Sequence, residues 1–287
     1  RSGPHARRMT LRLIHLSDLH FGRDRPELMR PLLATLNGLR PDIVAISGDL
    51  TQRARSSQFR AARAFIDHIT APVLCVPGNH DLPVHRPFRR FFRPFSNYIR
   101  HISADLSPVW MHPDLAVIGI NTMSPWRWQT GWATRREIRD AARHCLSGPA
   151  HRLNVIVAHH PFELPGDSMK SPMINAEWGL KTLAEAGADI ILSGHLHRWR
   201  VVSPPDPDAP AVLQIHCGTG LSNRNRGEPN DFAVIDIGSD TSDSDVTVTR
   251  WIATAQDVFA AQDTVRFHRG PDGWQSPTPL PGDAVPA

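Results

Sequence analysis

From residue 11 onward the chain alternates short apolar runs with amphipathic stretches. Leu11–Leu16 alternates and ends in Ser-Asp, the pattern of a strand feeding a loop, and residues 26–39 carry apolar side chains at helical spacing. Pro41 then opens a second strand at 42–46, followed by a helix at 56–69 and a short strand at 73–76 that runs into Pro77-Gly78. The alternation resumes with strands at 115–120, 153–158 and 189–192 and helices at 134–146 and 176–186, which predicts a parallel α/β sheet. Beyond residue 197 the pattern changes to strands at 212–215, 232–237, 246–251 and 264–268 with turn-rich connections, and Gln256 marks the one candidate helix. A second, mainly antiparallel sheet packed on the first is expected, giving a layered α/β sandwich.

Two segments break this regularity, 82–113 and 161–176, and both follow chemically rich turns, so they are read as caps over a site. Met9 stands directly before the first strand, so residues 1–8 are read as a leader, 9–270 as one domain and 271–287 as a Pro-rich tail.

At 287 residues and 40% hydrophobic the chain can bury a large single core. No stretch approaches the roughly 20 apolar residues needed to span a bilayer, and residues 1–8 lack the apolar centre of a signal peptide, so a soluble, cytoplasmic protein is expected. Cys75, Cys145 and Cys217 show no metal-type spacing and are read as buried thiols, which suits a reducing compartment. The net charge of +4, carried almost wholly by Arg, suits an anionic substrate. There is no zinc-finger spacing, no continuous basic helix and no phosphate-cradling glycine loop, so no specific nucleic acid partner is expected.

Five short segments carry the chemistry: Asp18-Leu19-His20, Gly48-Asp49, Gly78-Asn79-His80-Asp81, His159-His160 and Gly194-His195-Leu196-His197. Each follows an apolar strand, and a parallel sheet collects such segments at the carboxyl ends of its strands. Carboxylate, amide and imidazole donors are ligands for Mn, Fe or Zn, and their number suits two ions. Asp18 and His20 lie two apart and in extended backbone would grip one ion from one side. Gly48 permits a tight turn that presents Asp49, whose two oxygens suffice to bridge two ions. His195 and His197 would either chelate one ion or serve two neighbours.

This ordered set resembles the calcineurin-like metallophosphoesterase superfamily, over residues 11 to about 236. Leu13-Ile-His-Leu-Ser-Asp-Leu-His20, Val76-Pro-Gly-Asn-His-Asp81 and His159-His-Pro161 are similar to bacterial class III cyclic nucleotide phosphodiesterases and glycerophosphodiesterases. The resemblance implies a four-layer α/β/β/α sandwich of two sheets flanked by helices. It implies one metal ion on Asp18, His20, Asp49 and His197 and a second on Asp49, Asn79, His159 and His195, with Asp49 as bridge. His159 is preferred to His160 because the family motif is His-x-Pro. His80 would contact a phosphoryl oxygen and protonate the leaving alkoxide, with Asp81 orienting it. Two cations sharing a water lower its pKa and supply hydroxide for attack on phosphorus.

The implied function is a metal-dependent phosphodiesterase acting on a small phosphodiester, with a cyclic nucleotide such as cAMP placed first. The rivals are a glycerophosphodiesterase, a UDP-2,3-diacylglucosamine-type pyrophosphate hydrolase at a membrane surface, and a non-catalytic scaffold. Arg86, Arg89, Arg90 and Arg93 interleave with Phe88, Phe91, Phe92 and Phe95, and this 86–95 segment is read in two ways: an amphipathic cap that meets substrate or a membrane surface, or a helix with Phe packed inward and Arg solvated. Trp110, Trp126, Trp128 and Trp132 are read as pocket walls or, preferred, as ordinary loop and core packing, and Arg224 and Arg226 as a phosphate contact or, preferred, as a solvated turn. A homodimer is the expected oligomer only as the commonest one.

Overall fold

The computed structural model describes residues 10–127, 129–164, 171–202, 212–224, 226–238, 245–270 and 273–275. The first apolar strand, β1 (Leu11–Leu16), pairs in parallel with β2 (Ile43–Ile46), which pairs in parallel with β3 (Val73–Cys75). Both crossovers are helical: α1 (Pro26–Gly38), with Pro at its first turn where no amide bond is lost, and α2 (Ser56–Asp67). Every residue of β2 is buried, as expected of a parallel strand covered on both faces.

After β3 the chain makes one 3-10 turn, Asn79–Asp81, and two short helices, α3 (Pro87–Phe92) and α4 (Ser96–His101). It then enters a second sheet with β4 (Val109–Met111) at the edge, antiparallel to β5 (Leu115–Ile120). β6 (Leu153–Ala158), β7 (Ile190–Ser193) and β9 (Leu213–His216) continue in parallel, and β8 (Arg200–Val202) closes the far edge antiparallel to β9. The crossovers here are α5 (Arg135–Leu146) and α6 (Ala176–Glu185). α5 begins with a capping box in which Thr134 and Glu137 satisfy each other's backbone amides.

The chain finally returns to the first sheet. β10 (Asp231–Ile237) pairs antiparallel with β1, and β11 (Asp245–Ala253), β12 (Phe259–Gly270) and β13 (Gly273–Gln275) extend that sheet outward. The result is a seven-stranded sheet facing a six-stranded one. Three apolar cores separate the layers: one between the sheets, one between α1, α2 and the first sheet, and one between α5, α6 and the second. This is the four-layer α/β/β/α sandwich.

The partition of strands differs from the sequence expectation. Both sheets are mixed: the strand after residue 197 that stays parallel, β9, completes the second sheet, while β10 to β13 dock beside β1. The reason is that β1 has a free edge opposite β2, and the fully apolar inner face of β10 (Ala233, Ile235, Ile237) is buried there beside Leu11 and Leu13. Gln256 lies in the turn between β11 and β12 and forms no helix. Within the span read as a tail, Gly273–Gln275 forms β13, whose Trp274 is buried and donates from Nε1 to the Asp189 carbonyl. The leader at 1–8 and residues 276–287 lie outside the described residues. All three cysteines are free and buried. Among the described residues no helix is long and apolar enough to cross a membrane.

Candidate metal centre

Five strand ends converge, because β1, β2, β3, β6 and β7 all finish at the same end of the two facing sheets. Their loops are laced together by main-chain bonds: Asp18 N donates to Gly48 O (3.1 Å), His20 N to Asp49 O (2.9 Å) and Gly194 N to His159 O (3.2 Å). The loops are also strained. Asp18, His20, Asp49, His195 and His197 have φ of 53°, 49°, 51°, 68° and 57°. A left-handed non-glycine residue costs about 1–3 kcal/mol and persists only where its surroundings hold it. The extended geometry expected for the Asp18/His20 and His195/His197 pairs is therefore absent. Strained turns, not strand pleating, aim these side chains.

The side chains form two adjacent groups. In the first, the donor atoms of Asp18, His20, Asp49 and His197 lie within 4.8 Å of one another, all buried. His20 Nε2 is 3.2 Å from His197 Nε2, 3.4 Å from Asp18 Oδ1 and 3.6 Å from Asp49 Oδ2. In the second, Asn79 Oδ1 is 3.0 Å from both His159 Nε2 and His195 Nδ1. His159 Nε2 also lies 3.5 Å from Asp49 Oδ1. The Asp49 carboxylate thus turns one oxygen toward each group, and the two histidines of the Gly-His-Leu-His segment are divided between them.

The outer atoms of these side chains are fixed by the fold. Asp18 Oδ2 accepts from the Ser17 hydroxyl (2.5 Å) and His195 N (3.0 Å), leaving Oδ1 turned to the cluster, buried with no hydrogen bond. His159 donates from Nδ1 to Ser47 O (2.8 Å), and His197 from Nδ1 to Arg224 O (2.8 Å). Each such bond protonates the outer nitrogen and leaves the Nε2 lone pair facing the group, the arrangement that orients metal-bound imidazoles. A buried acceptor without a donor, beside imidazole lone pairs within 3–4 Å, fits a pair of borderline cations.

His160, the neighbour of His159, also reaches this region. It groups with His159 and His195, and its Nδ1 lies 3.0 Å from the Thr122 hydroxyl, an interaction the sequence did not signal. His159 is the one of the pair that meets Asn79 and Asp49.

His80 lies beside the first group, its ring 4.9 Å from that of His20. Its Nδ1 donates to Gln52 O (2.9 Å), so Nε2 faces outward into a cleft of about 510 Å³ whose walls include Arg23, Gln52 and Arg224. Arg224 Nη1 is 3.4 Å from His80 Nε2. Arg224, read from the sequence as a solvated turn with a phosphate contact as the alternative, is exposed and borders the centre, and its carbonyl also holds His197. Burial lowers the pKa of His80, opposed by the Asp49 charge.

Asp81 does not touch the His80 ring through any hydrogen bond among the described residues. Its oxygens accept from the main-chain N–H groups of Leu50 (3.1 Å), Thr51 (2.8 Å) and Gly78 (3.0 Å) and from the Thr51 hydroxyl (2.9 Å). It ties the Asp49 loop to the Asn79 turn, and the contact expected of it belongs to Gln52. Burial, with the Asp49 charge adding to it, pushes the Asp81 carboxyl up to about 6.

The family model described as calcineurin-like phosphoesterase matches residues 11–199, the span that contains every one of these loops up to His197. The chain belongs to that family. Among its relatives is a glycerophosphodiester phosphodiesterase of Enterobacter lignolyticus, 27% identical over 188 residues, or 60% of this chain and 64% of that protein. A cAMP/cGMP dual specificity phosphodiesterase of Mycobacterium tuberculosis is 28% identical over 214 residues, or 64% of this chain and 61% of that protein. The chain thus spans less than two thirds of the length of these two relatives. The fold is also that of a purple acid phosphatase from yellow lupin, with a TM-score of 0.65 at 14% identity over 90% of this chain and 53% of that one. Vacuolar Protein Sorting 29 from Cryptosporidium parvum shares it at a TM-score of 0.50 and 14% identity, covering 90% and 98% of the two chains.

The close approach of the loops in this centre makes a specific prediction. A Cβ on Gly194 would overlap the Ser17 hydroxyl and Asp18 Oδ2. Gly194→Ala is therefore expected to displace Asp18, and the purified variant should bind less than half the Mn held by the parent protein in elemental analysis. Unchanged metal content would show that the Asp18 anchor is not needed.

Proposed function

We propose that the chain is a dinuclear metal-dependent phosphodiesterase. The single observation that carries this is the Asp49 carboxylate, which presents one oxygen to the Asp18/His20/His197 group and the other to the Asn79/His159 group. Asp18, His20, Asp49 and His197 would hold one cation, and Asp49, Asn79, His159 and His195 the other. Such a pair supplies Lewis-acid neutralisation of phosphoryl oxygens and activation of water.

The chain's own residues do the rest. His80 Nε2 faces the cleft, so it would hydrogen-bond a phosphoryl oxygen and transfer a proton at the leaving oxygen, while the Gln52 main-chain carbonyl fixes the ring through Nδ1. Arg224, beside that nitrogen, would add a fixed positive charge for the phosphate. Asp81 holds the two loops in register and is a positioning residue. The relatives named above favour a small diester, with a cyclic nucleotide first and a glycerophosphodiester second. The test is steady-state hydrolysis by Mn-loaded protein of bis-p-nitrophenyl phosphate, p-nitrophenyl phosphate, cyclic AMP and glycerophosphocholine. Preference for a diester over the monoester supports the reading, and preference for the monoester would defeat it.

A second activity of the surface is favoured by α3. The reading with Phe packed inward and Arg solvated holds for Arg86, Arg89, Arg93 and Phe95 but fails elsewhere: Arg90 is buried and bonded to Pro125 O (2.7 Å), while Phe88 and Phe92 are 75% and 71% exposed. Phe91 packs against Trp126 with the two rings tilted, and Trp126 is itself 73% exposed. Aromatic rings exposed beside Arg86, Arg89 and Arg93 suit contact with an anionic membrane surface. Cosedimentation with vesicles containing anionic lipid is expected for the parent protein and lost in Phe88→Ser/Phe92→Ser. Equal sedimentation with neutral and anionic vesicles would count against it.

A further inference from the structure

Beside the catalytic cleft lies a second cavity of about 600 Å³, and the two share Arg53 and His85 on their walls. Arg53, Arg55, Arg86 and Arg89 all line this second cavity. Among the described residues none of these four guanidinium groups has a carboxylate partner, in a chain where Arg12, Arg25, Arg63 and Arg250 each have one. The one carboxylate on the wall is Asp81, whose oxygens are already occupied by three amides and a hydroxyl and which is 1% exposed.

The backbone adds to the same sign of potential. Arg55 is the N-cap of α2, and Ser56 and Ser57, its first two helical residues, line the cavity. N-caps favour Ser, Thr, Asp or Asn, whose oxygens meet the first amides, and the helix dipole makes this end positive. An arginine there repels the dipole and gives no side-chain cap. Four unpaired guanidinium groups around the positive end of a helix repel one another unless an anion lies between them. A phosphate group, with its several acceptor oxygens, matches guanidinium forks and amides together.

We infer that this cavity is an anion pocket that receives a second phosphate group of the substrate, distinct from the phosphodiester held at the metal centre. The inference rests on the phosphodiesterase reading for its substrate and on the shared wall for its reach: Arg53 and His85 border both cavities, so one molecule can occupy both. The substrate class is then a phosphodiester bearing a further phosphate, such as a nucleotide diester phosphorylated on its sugar.

The test has two arms. In the first, Mn-loaded protein is given the p-nitrophenyl ester of a nucleoside monophosphate, with and without an added phosphate on the sugar. The added phosphate is expected to raise kcat/KM about tenfold or more, the scale of one or two charge-assisted bonds, and this ratio should fall toward one in Arg55→Gln/Arg89→Gln. A parental ratio of one or less, or a ratio unchanged in the variant, overturns the inference. In the second arm, metal-free protein is titrated with inorganic pyrophosphate by calorimetry. One binding event that weakens at least tenfold in the same variant, and again in Arg86→Gln, supports the pocket. Binding that is absent from the parent, or intact in both variants, overturns it. All four arginines are exposed, and circular dichroism confirms that the variants are folded. Failure of the metal-loaded parent to hydrolyse either ester would defeat the phosphodiesterase reading alone and leave the calorimetry to decide the pocket.

Discussion

Asp49→Asn is expected to remove turnover and metal binding together. The substitution keeps the size of the side chain and an oxygen able to accept from His80 N, now 2.8 Å from Asp49 Oδ1. What it removes is the negative charge shared by the two donor groups and one of the two oxygens that face them. Two cations held a few ångströms apart repel strongly, and a bridging carboxylate is the group that offsets this. We expect fewer than two Mn per chain by elemental analysis, and kcat/KM on bis-p-nitrophenyl phosphate lowered on the order of a thousandfold, the scale on which loss of one preorganised charge-stabilising group acts. Two bound ions in Asp49→Asn would show that the carboxylate does not bridge.

His80→Ala is expected to separate catalyst from ligand. The ring lies beside His20, yet its Nδ1 is committed to Gln52 and its Nε2 to the cleft, so no atom of His80 belongs to either donor group. Its removal should leave two bound ions and lower kcat by roughly 10²–10⁴, the usual contribution of a proton-transfer group. The loss should be largest for substrates with a poor leaving group and small for p-nitrophenolate, which departs without a proton. That dependence on leaving group is the distinguishing readout. An equal loss on both kinds of substrate, or loss of metal, would assign His80 to another role.

Much of this arrangement was legible in the sequence because it rests on local patterns. Apolar runs bounded by Gly, Pro and Ser-Asp place β1, β2, β3, β5, β6, β7 and the four long helices, and each donor motif follows a strand whose position is fixed by that periodicity. Three things were not legible. The division of strands between sheets depends on which edges remain free after the parallel units form, and nothing local records that β10 returns to β1. The aim of the donors depends on left-handed φ at Asp18, His20, Asp49, His195 and His197; Asp and His tolerate that region better than most residues, but nothing local marks these particular ones as adopting it. Long-range partners were also hidden. Arg224 meets His80 across 144 residues of chain and the Ser47 carbonyl holds His159 across 112, contacts that only the assembled fold creates. Asp81 shows the same limit. The family resemblance implied it as a partner for His80, but its oxygens accept from the amides of Leu50, Thr51 and Gly78, and the Gln52 carbonyl, which no motif marks, takes that contact.

The inward turn of Arg90 has the same origin. A helix of six residues, α3, has too few turns for its Phe spacing to define a buried face, and the main-chain carbonyls of Pro125 and Arg127 accept from the Arg90 guanidinium instead. The aromatic surface this leaves is a property of tertiary contact, not of amphipathic pattern.

The most direct measurement is a titration of metal-free protein with Mn, following bound metal and hydrolysis of bis-p-nitrophenyl phosphate in the same samples. Saturation is expected at two ions per chain, with activity that rises only as the second ion binds. Saturation at one ion, or hydrolysis by the metal-free protein, would contradict it.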